Sequence, residues 1–284
     1  MKYYLETGAL RKLNKHLHTL SDDCFTSSWS LFELMSELTK SEKEYRIRKS
    51  VIQNVINSNL HIEWSSPEVL KVNGFPSIGY QDFRFDALKN LIYQFLDYSD
   101  FQSFLIDTNN HKYNYKYFND LDKYYTAKFI SGGAAGNSNM KRLIEDGAKK
   151  YGPNHATDTK LFLENLYQNE IELNEGMTLY VIVQDIIDGM ELELNLGLTD
   201  KDRARIFASY NNSFDIYLKY FSRYSGKKMA EFKLPAKNDC IDLYHLLYIG
   251  DGKNKILVSD DNLLLDIKDH CINSDTFLNQ YSKE

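Results

Sequence analysis

The sequence predicts an α/β protein: a short parallel sheet assembled from the two ends of the chain, with a large, mainly helical insertion between them. Three observations lead there. Short apolar runs that read as buried strands lie near both termini, at Tyr3–Leu5 and Ile256–Val258. An acid stands where each of those strands should end, at Glu6 and at Asp260. The long middle carries helical periodicity, and the whole chain of 284 residues has only 4 prolines to interrupt it.

Taken in order, Tyr3, Tyr4 and Leu5 form the first strand, ended by Glu6. Thr7 is placed to cap the helix that follows through Leu10, Leu13 and Leu17. The alternative for Glu6 is a plain first-turn helix acid, favoured there by the dipole. Cys24 to Ser27 fit a second strand, and Ser28 or Ser30 can cap a helix with Leu31, Phe32, Leu34, Met35 and Leu38 facing the core. Glu33 lies among those apolar residues and Glu37 follows one turn later. An acid in such company is costly unless it is paired or binds a cation; the alternative is a place on the solvated face. A polar-faced helix then runs to about Asn57–Asn59.

Residues 62–230 read as the insertion. H-I-E-W begins like a strand, and Ser65 or Ser66 caps a helix with Pro67 in its first turn. The segment from Tyr80 to Leu96 is an amphipathic helix. Lysine and tyrosine interleave from Lys112 to Lys128, a pattern that either stacks bases or lets lysines snorkel over a core. S-G-G-A-A-G-N-S-N lacks the Gly-Lys-Ser/Thr of a phosphate-binding loop and is expected to be a flexible loop before a helix. On that helix Lys141 and Arg142, with Lys149 and Lys150, make the best local basic patch, either contacting phosphates or forming a solvated face. Further helices are expected over 160–168, 177–190 and 200–223.

The last segment is the densest in signal. D-L-Y-H-L-L-Y-I turns a helical apolar face inward, Gly250 and Gly252 break it, and Ile256–Val258 give a strand followed by Ser259, Asp260 and Asp261. Asp242 sits at the expected start of that helix, with Asp239 as the alternative. In open α/β sheets ligands bind beyond the carboxyl ends of the strands, so Asp242 and Asp260 are expected at one edge.

Strand–Glu6–Thr7–helix, T-S-S-W-S-L-F-E-L with Glu33, and Asp242 followed eighteen residues later by Asp260 in V-S-D-D together resemble the PIN domain, a family of metal-dependent ribonucleases that includes many bacterial toxins. The resemblance covers roughly the first 60 and last 55 residues. It implies a three-layer α/β/α core over 1–61 and 231–284. The family's first acid is usually Asp, and Asn is frequent where Gly8 stands; Glu6 is one methylene longer. Four carboxylates at one edge cannot all stay ionised without a cation, and all-oxygen ligands suit Mg2+ or Mn2+. The resemblance then implies RNA hydrolysis. Glu6, Asp242 and Asp260 would hold a first ion, and Glu33 would complete its shell or orient water. Asp261 could join a second site, Thr7 and Ser259 would bond the acids or a phosphate, and Lys141 and Arg142 would steer the backbone. The rival readings are a DNA nuclease and a non-catalytic PIN-like scaffold that binds protein, such as an antitoxin, or RNA.

Composition narrows the rest. A net charge of −6 argues against broad electrostatic binding of nucleic acid, leaving only a local groove. Cys24, Cys240 and Cys271 offer no C-x-x-C pair, so neither a zinc ribbon nor a disulfide framework is expected. No leader or transmembrane run opens the chain, and a cytoplasmic setting with no membrane partner is the expectation. The seven histidines show no metal-ligand spacing; His245, one turn after Asp242, could touch the site but reads first as a core-edge residue.

Overall fold

The computed structural model describes residues 1–284 except 37, 39, 40, 195, 196 and 282–284, with the side chains of 190–194 also outside the description. Glu37 therefore lies outside the described residues. Strand β1 (Lys2–Leu5) buries Tyr4 and Leu5 completely. Helix α1 (Thr7–Lys12) follows with Glu6, not Thr7, as its N-cap. The glutamate reaches the first-turn N–H groups and leaves the threonine hydroxyl for other work. Strand β2 (Cys24–Ser27) is buried along its length. It runs directly into α2 (Ser28–Ser36), capped by Ser27, whose Oγ accepts from the Ser30 N–H at 3.2 Å. Leu31, Phe32, Leu34, Met35 and Leu38 are all buried as their spacing requires.

Helix α3 (Glu42–Asn57) starts on Ser41, and β3 (His61–Glu63) follows. Helix α4 (Pro67–Asn73) has Ser66 as its cap and the proline at its first position, where a missing N–H costs nothing. Helices α5 (Phe83–Asp97) and α6 (Phe101–Thr108) begin on Asp82 and Asp100. Helix α7 (Tyr115–Tyr151) is 37 residues long. It is followed by α8 (His155–Gln168), α9 (Ile171–Leu194), α10 (Asp200–Ala208) and α11 (Asp215–Ala230). The C-terminal segment holds α12 (Asp239–Tyr244), α13 (Leu246–Ile249), β4 (Lys255–Val258), α14 (Asn262–Leu265), β5 (Cys271–Ile272) and α15 (Ser274–Tyr281). Gly250 and Gly252, at φ 66° and 74°, make the left-handed break before β4.

The five strands form one all-parallel sheet in the order β3-β2-β1-β4-β5. The protein is thus mixed α/β and mostly helical. The chain runs outward one way through β2 and β3, returns, and runs outward the other way through β4 and β5. The reversal beside β1 is where such sheets offer a crevice at their carboxyl ends. By contacts the chain divides into two units, one of Met1–Lys71, Tyr80–Tyr124 and Tyr244–Glu284, the other of Val72–Gly79 and Tyr125–Leu243. The sheet-bearing unit thus takes in α5, α6 and the first turns of α7 as well. Phe32 of α2 packs against Phe85 and Phe118 at 6.1 and 6.3 Å between ring centres, which ties those helices to the sheet.

Two expectations are corrected in the helical unit. The S-G-G-A-A-G-N-S-N run is helix, continuous within α7, and no loop. One of its glycines serves close packing: a Cβ at Gly133 would meet Pro235 Cδ at 2.6 Å, whereas Gly132 has open space, and Asn137 donates to the Lys233 carbonyl at 3.1 Å. The helix expected over 200–223 is two helices, parted at Asn212, whose φ is 64°. Among the described residues no helix is long and apolar enough to cross a membrane.

Candidate active site at the carboxyl edge of the sheet

The carboxyl edge beside the end of β1 collects Glu6 and Thr7 from the strand–helix junction, Ser27 and Ser30 from the β2–α2 junction, Glu33 from α2, and His245 from the turn between α12 and α13. Glu6 is 6% exposed and accepts from the N–H groups of Gly8 and Ala9, the latter at 2.9 Å. Burial raises its pKa first of all and the charge of Glu33 adds to that, while His245 and the two N–H groups pull the other way. The two acids are therefore within electrostatic reach of each other.

Glu33 turns out of its apolar surroundings toward this edge, with its side chain 17% exposed. Its Oε2 accepts from the Thr7 hydroxyl and lies 2.8 Å from His245 Nε2. His245 is 1% exposed, and its Nδ1 lies 2.7 Å from the Tyr4 hydroxyl. Tyr4 continues the chain to Ser27 Oγ at 2.7 Å and Ser30 Oγ at 3.3 Å. Burial pushes the Tyr4 phenol well above its usual range, so it stays a hydroxyl. The backbone that carries Glu33 is anchored too: buried Arg48 donates to the carbonyls of Glu33 and Leu34 at 2.8 and 3.3 Å.

A feature of the first junction was visible in sequence only as two unrelated oddities. A Cβ at position 8 would lie 2.8 Å from Glu6 Oε1 and 3.3 Å from Oε2. The longer acid folds back over the helix start, and only glycine leaves room for it. The glutamate at position 6 and the glycine at position 8 are therefore coupled.

The remaining expected residues sit differently. Asp260 follows β4 at the same edge, but its Oδ2 accepts from Ser274 Oγ at 2.7 Å and its Oδ1 from the Ser274 N–H at 3.2 Å. Lys12 reaches the same Oδ1 at 3.4 Å. Asp261 caps α14 through Leu263 N–H at 2.7 Å. Ser259 is fully buried, with its Oγ accepting from the Asp261 N–H. Asp242 is in the first turn of α12, which starts earlier than expected, at Asp239. Asp239 takes the terminal position because its carboxylate accepts from the Ala236 N–H at 2.9 Å and from Tyr224. Asp242 and Asp239 belong to the helical unit, as do Lys141 and Arg142, which are exposed on α7. Burial pushes the Cys271 thiol at this edge up to about 12, so it supplies no thiolate.

The sequence thus pointed to Glu6, Thr7 and Glu33, which do come together, and under-rated His245 and Tyr4. The H at one turn after Asp242 was the only available signal for the first; nothing marked Tyr4 among 21 tyrosines.

Among the described residues no three His, Cys, Asp or Glu side chains gather closely enough to hold a metal ion. The donors that do gather suit a hard ion in kind. Mg2+ commonly keeps several waters and takes one or two carboxylates plus substrate phosphate, not an all-protein cage. Glu6, Glu33 and the Thr7 hydroxyl are the oxygen donors that would have to form such a set. No family model, no curated protein and no solved structure matches this chain.

Proposed function

We propose that this chain is a divalent-metal-dependent nuclease on a PIN-like core, hydrolysing RNA phosphodiester bonds at the carboxyl edge of β1. The observation that carries the reading is the convergence of Glu6 and Glu33 from separate elements at the point where the order of a parallel sheet reverses. Glu6 and Glu33 would hold Mg2+ or Mn2+, with Asp242 and Asp260 as the further acids of the resemblance. When bound, such an ion would polarise the phosphodiester and lower the pKa of a bound water.

The chain's own groups do the rest. Gly8 and Ala9 N–H groups fix the Glu6 carboxylate. Thr7 and His245 hold one oxygen of Glu33. Lys141 and Arg142, exposed on the helical unit, are the residues proposed for phosphate contacts, which give affinity without sequence reading. DNA is the competing substrate.

A second reading has its own support. Both oxygens of Asp260 are engaged by Ser274, and Glu33 is already paired with Thr7 and His245. A non-catalytic scaffold, with its acids in structural roles and a protein partner such as an antitoxin, fits those bonds. Incubation of the full chain with single-stranded RNA, structured RNA and DNA in Mn2+ or Mg2+ separates the readings. The nuclease reading expects RNA cleavage that is lost on chelation and in Glu6→Gln and Glu33→Gln. Cleavage indifferent to both variants, or none by the wild-type chain, refutes it.

A further inference from the structure

We propose that His245, itself held by Tyr4, is a positioning residue that presents the second oxygen of Glu33 to a divalent cation. The inference rests on the metal reading above and adds to it the part played by two buried residues. Thr7 and His245 both use Glu33 Oε2. Among the described residues Oε1 has no hydrogen-bond partner, although it belongs to a side chain only 17% exposed. A carboxylate pinned by one oxygen has lost its rotation, and its other oxygen points one way.

The pinning is set from behind. A carboxylate only accepts, so the geometry requires the proton of the imidazole on Nε2. In the neutral ring Nδ1 is then an acceptor, and the Tyr4 hydroxyl, 2.7 Å away, can donate to it. Tyr4 is in turn satisfied by Ser27 and Ser30, and the Ser30 N–H donates to Ser27. A hydroxyl at Nδ1 and an acid at Nε2 together favour the Nε2–H tautomer of the neutral ring. The ring is also packed, 5.8 Å from Tyr4 centre to centre, with Tyr248 stacked on Tyr4 at 5.3 Å. An imidazole that is buried, oriented at both nitrogens and aimed at an acid is the usual way proteins stiffen a ligand from the layer behind it.

The test uses the full chain and Mn2+ alone, by calorimetry, with folding followed by circular dichroism. His245→Ala should weaken Mn2+ binding by roughly 10–100-fold. His245→Gln, whose amide can still donate to Glu33, should recover most of that. Nitrogen-detected NMR of the wild-type imidazole should show Nε2 protonated, and Tyr4→Phe should let the tautomers mix. Equal affinity in all variants overturns the proposal. So does an equal loss in the Ala and Gln variants of a chain that stays folded, because that is a packing role. If His245→Ala does not fold, or the wild type binds no Mn2+, the imidazole spectrum decides. An unprotonated Nε2 overturns the proposal, whereas a protonated Nε2 with mixing in Tyr4→Phe upholds the orienting role. Failure of Mn2+ binding in the wild type then counts against the metal reading by itself.

Discussion

Gly8→Ala probes the junction that distinguishes this edge. The added Cβ would sit 2.8 Å from Glu6 Oε1, and that oxygen is the end of a flexible side chain, so the carboxylate yields and the helix does not. Restoring ordinary contact moves Oε1 by roughly 0.6 Å, enough to take a 2.9 Å bond from the Ala9 N–H out of range. Losing an N-cap costs about 1 kcal/mol, within a range of roughly 0.5–2. Replacing glycine by alanine in a helix returns about 0.5–1 kcal/mol through the unfolded chain. The two nearly cancel, so the denaturant midpoint should barely move. The local signal does not cancel. A cap worth about 1–2 kcal/mol protects its amide by a factor of roughly 5–30, and the Ala9 amide should exchange faster by that factor. Hydrogen exchange read by NMR, beside a urea melt, measures both. An Ala9 amide as protected as in the wild type would show that Glu6 had not moved and that Gly8 has nothing to do with the longer acid.

Three further outcomes follow from the same bonds. Glu6 has a raised pKa from burial, so the folded chain holds its proton longer than the unfolded chain does. Stability should therefore fall as pH rises from the ordinary carboxylate range through the raised value, and urea melts of Glu6→Gln should lack that fall. Arg48→Ala removes donors to the Glu33 and Leu34 carbonyls and should cost about 2–3 kcal/mol, read in the same melts; Glu44 keeps Arg11 at 2.9 Å, which limits the loss. Gly133→Ala drives a methyl into Pro235 and should cost about 1–3 kcal/mol by overpacking, with proteolysis appearing first near Lys233–Ala236. A neutral Gly133→Ala would mean that the glycine-rich run is helical for reasons other than close approach.

The sheet was legible because its strands are punctuated. Tyr3–Leu5, Cys24–Ser27 and Ile256–Val258 each end on a polar residue that starts a turn or helix, and Gly250 and Gly252 break where left-handed backbone is needed. Strand β5 was not legible, since two residues have no period to read. The glycine-rich run misled because glycine serves close packing as well as looseness, and only the neighbour, Pro235, distinguishes the two. In the site, Glu33 stood out as an acid in apolar company. Its partner was obscured by the same rule: a lone histidine on an apolar face reads as core, and His245 is both buried and aimed at the acid.

Asp260 is where the nuclease and scaffold readings divide most sharply. Asparaginyl and aspartyl side chains at strand ends are natural caps, and here Asp260 binds the first N–H and hydroxyl of α15. Alone, those bonds would not keep it from a cation, because a carboxylate oxygen has a second lone pair. Lys12 is the real competitor. Its ammonium lies 3.4 Å from Asp260 and 2.9 Å from Asp275, and its pKa is raised chiefly by the bond to Asp275. A divalent ion on Asp260 would have to sit beside that positive charge or displace it. If Asp260 is a ligand, Lys12→Met should tighten Mn2+ binding, and the gain should shrink as salt screens the ammonium in the wild type. If Asp260 only ties α15 to the sheet, Lys12→Met should leave Mn2+ affinity where it was and loosen the C-terminal helix instead. Unchanged affinity together with faster amide exchange in α15 would remove Asp260 from the metal reading and leave Glu6 and Glu33 to carry it.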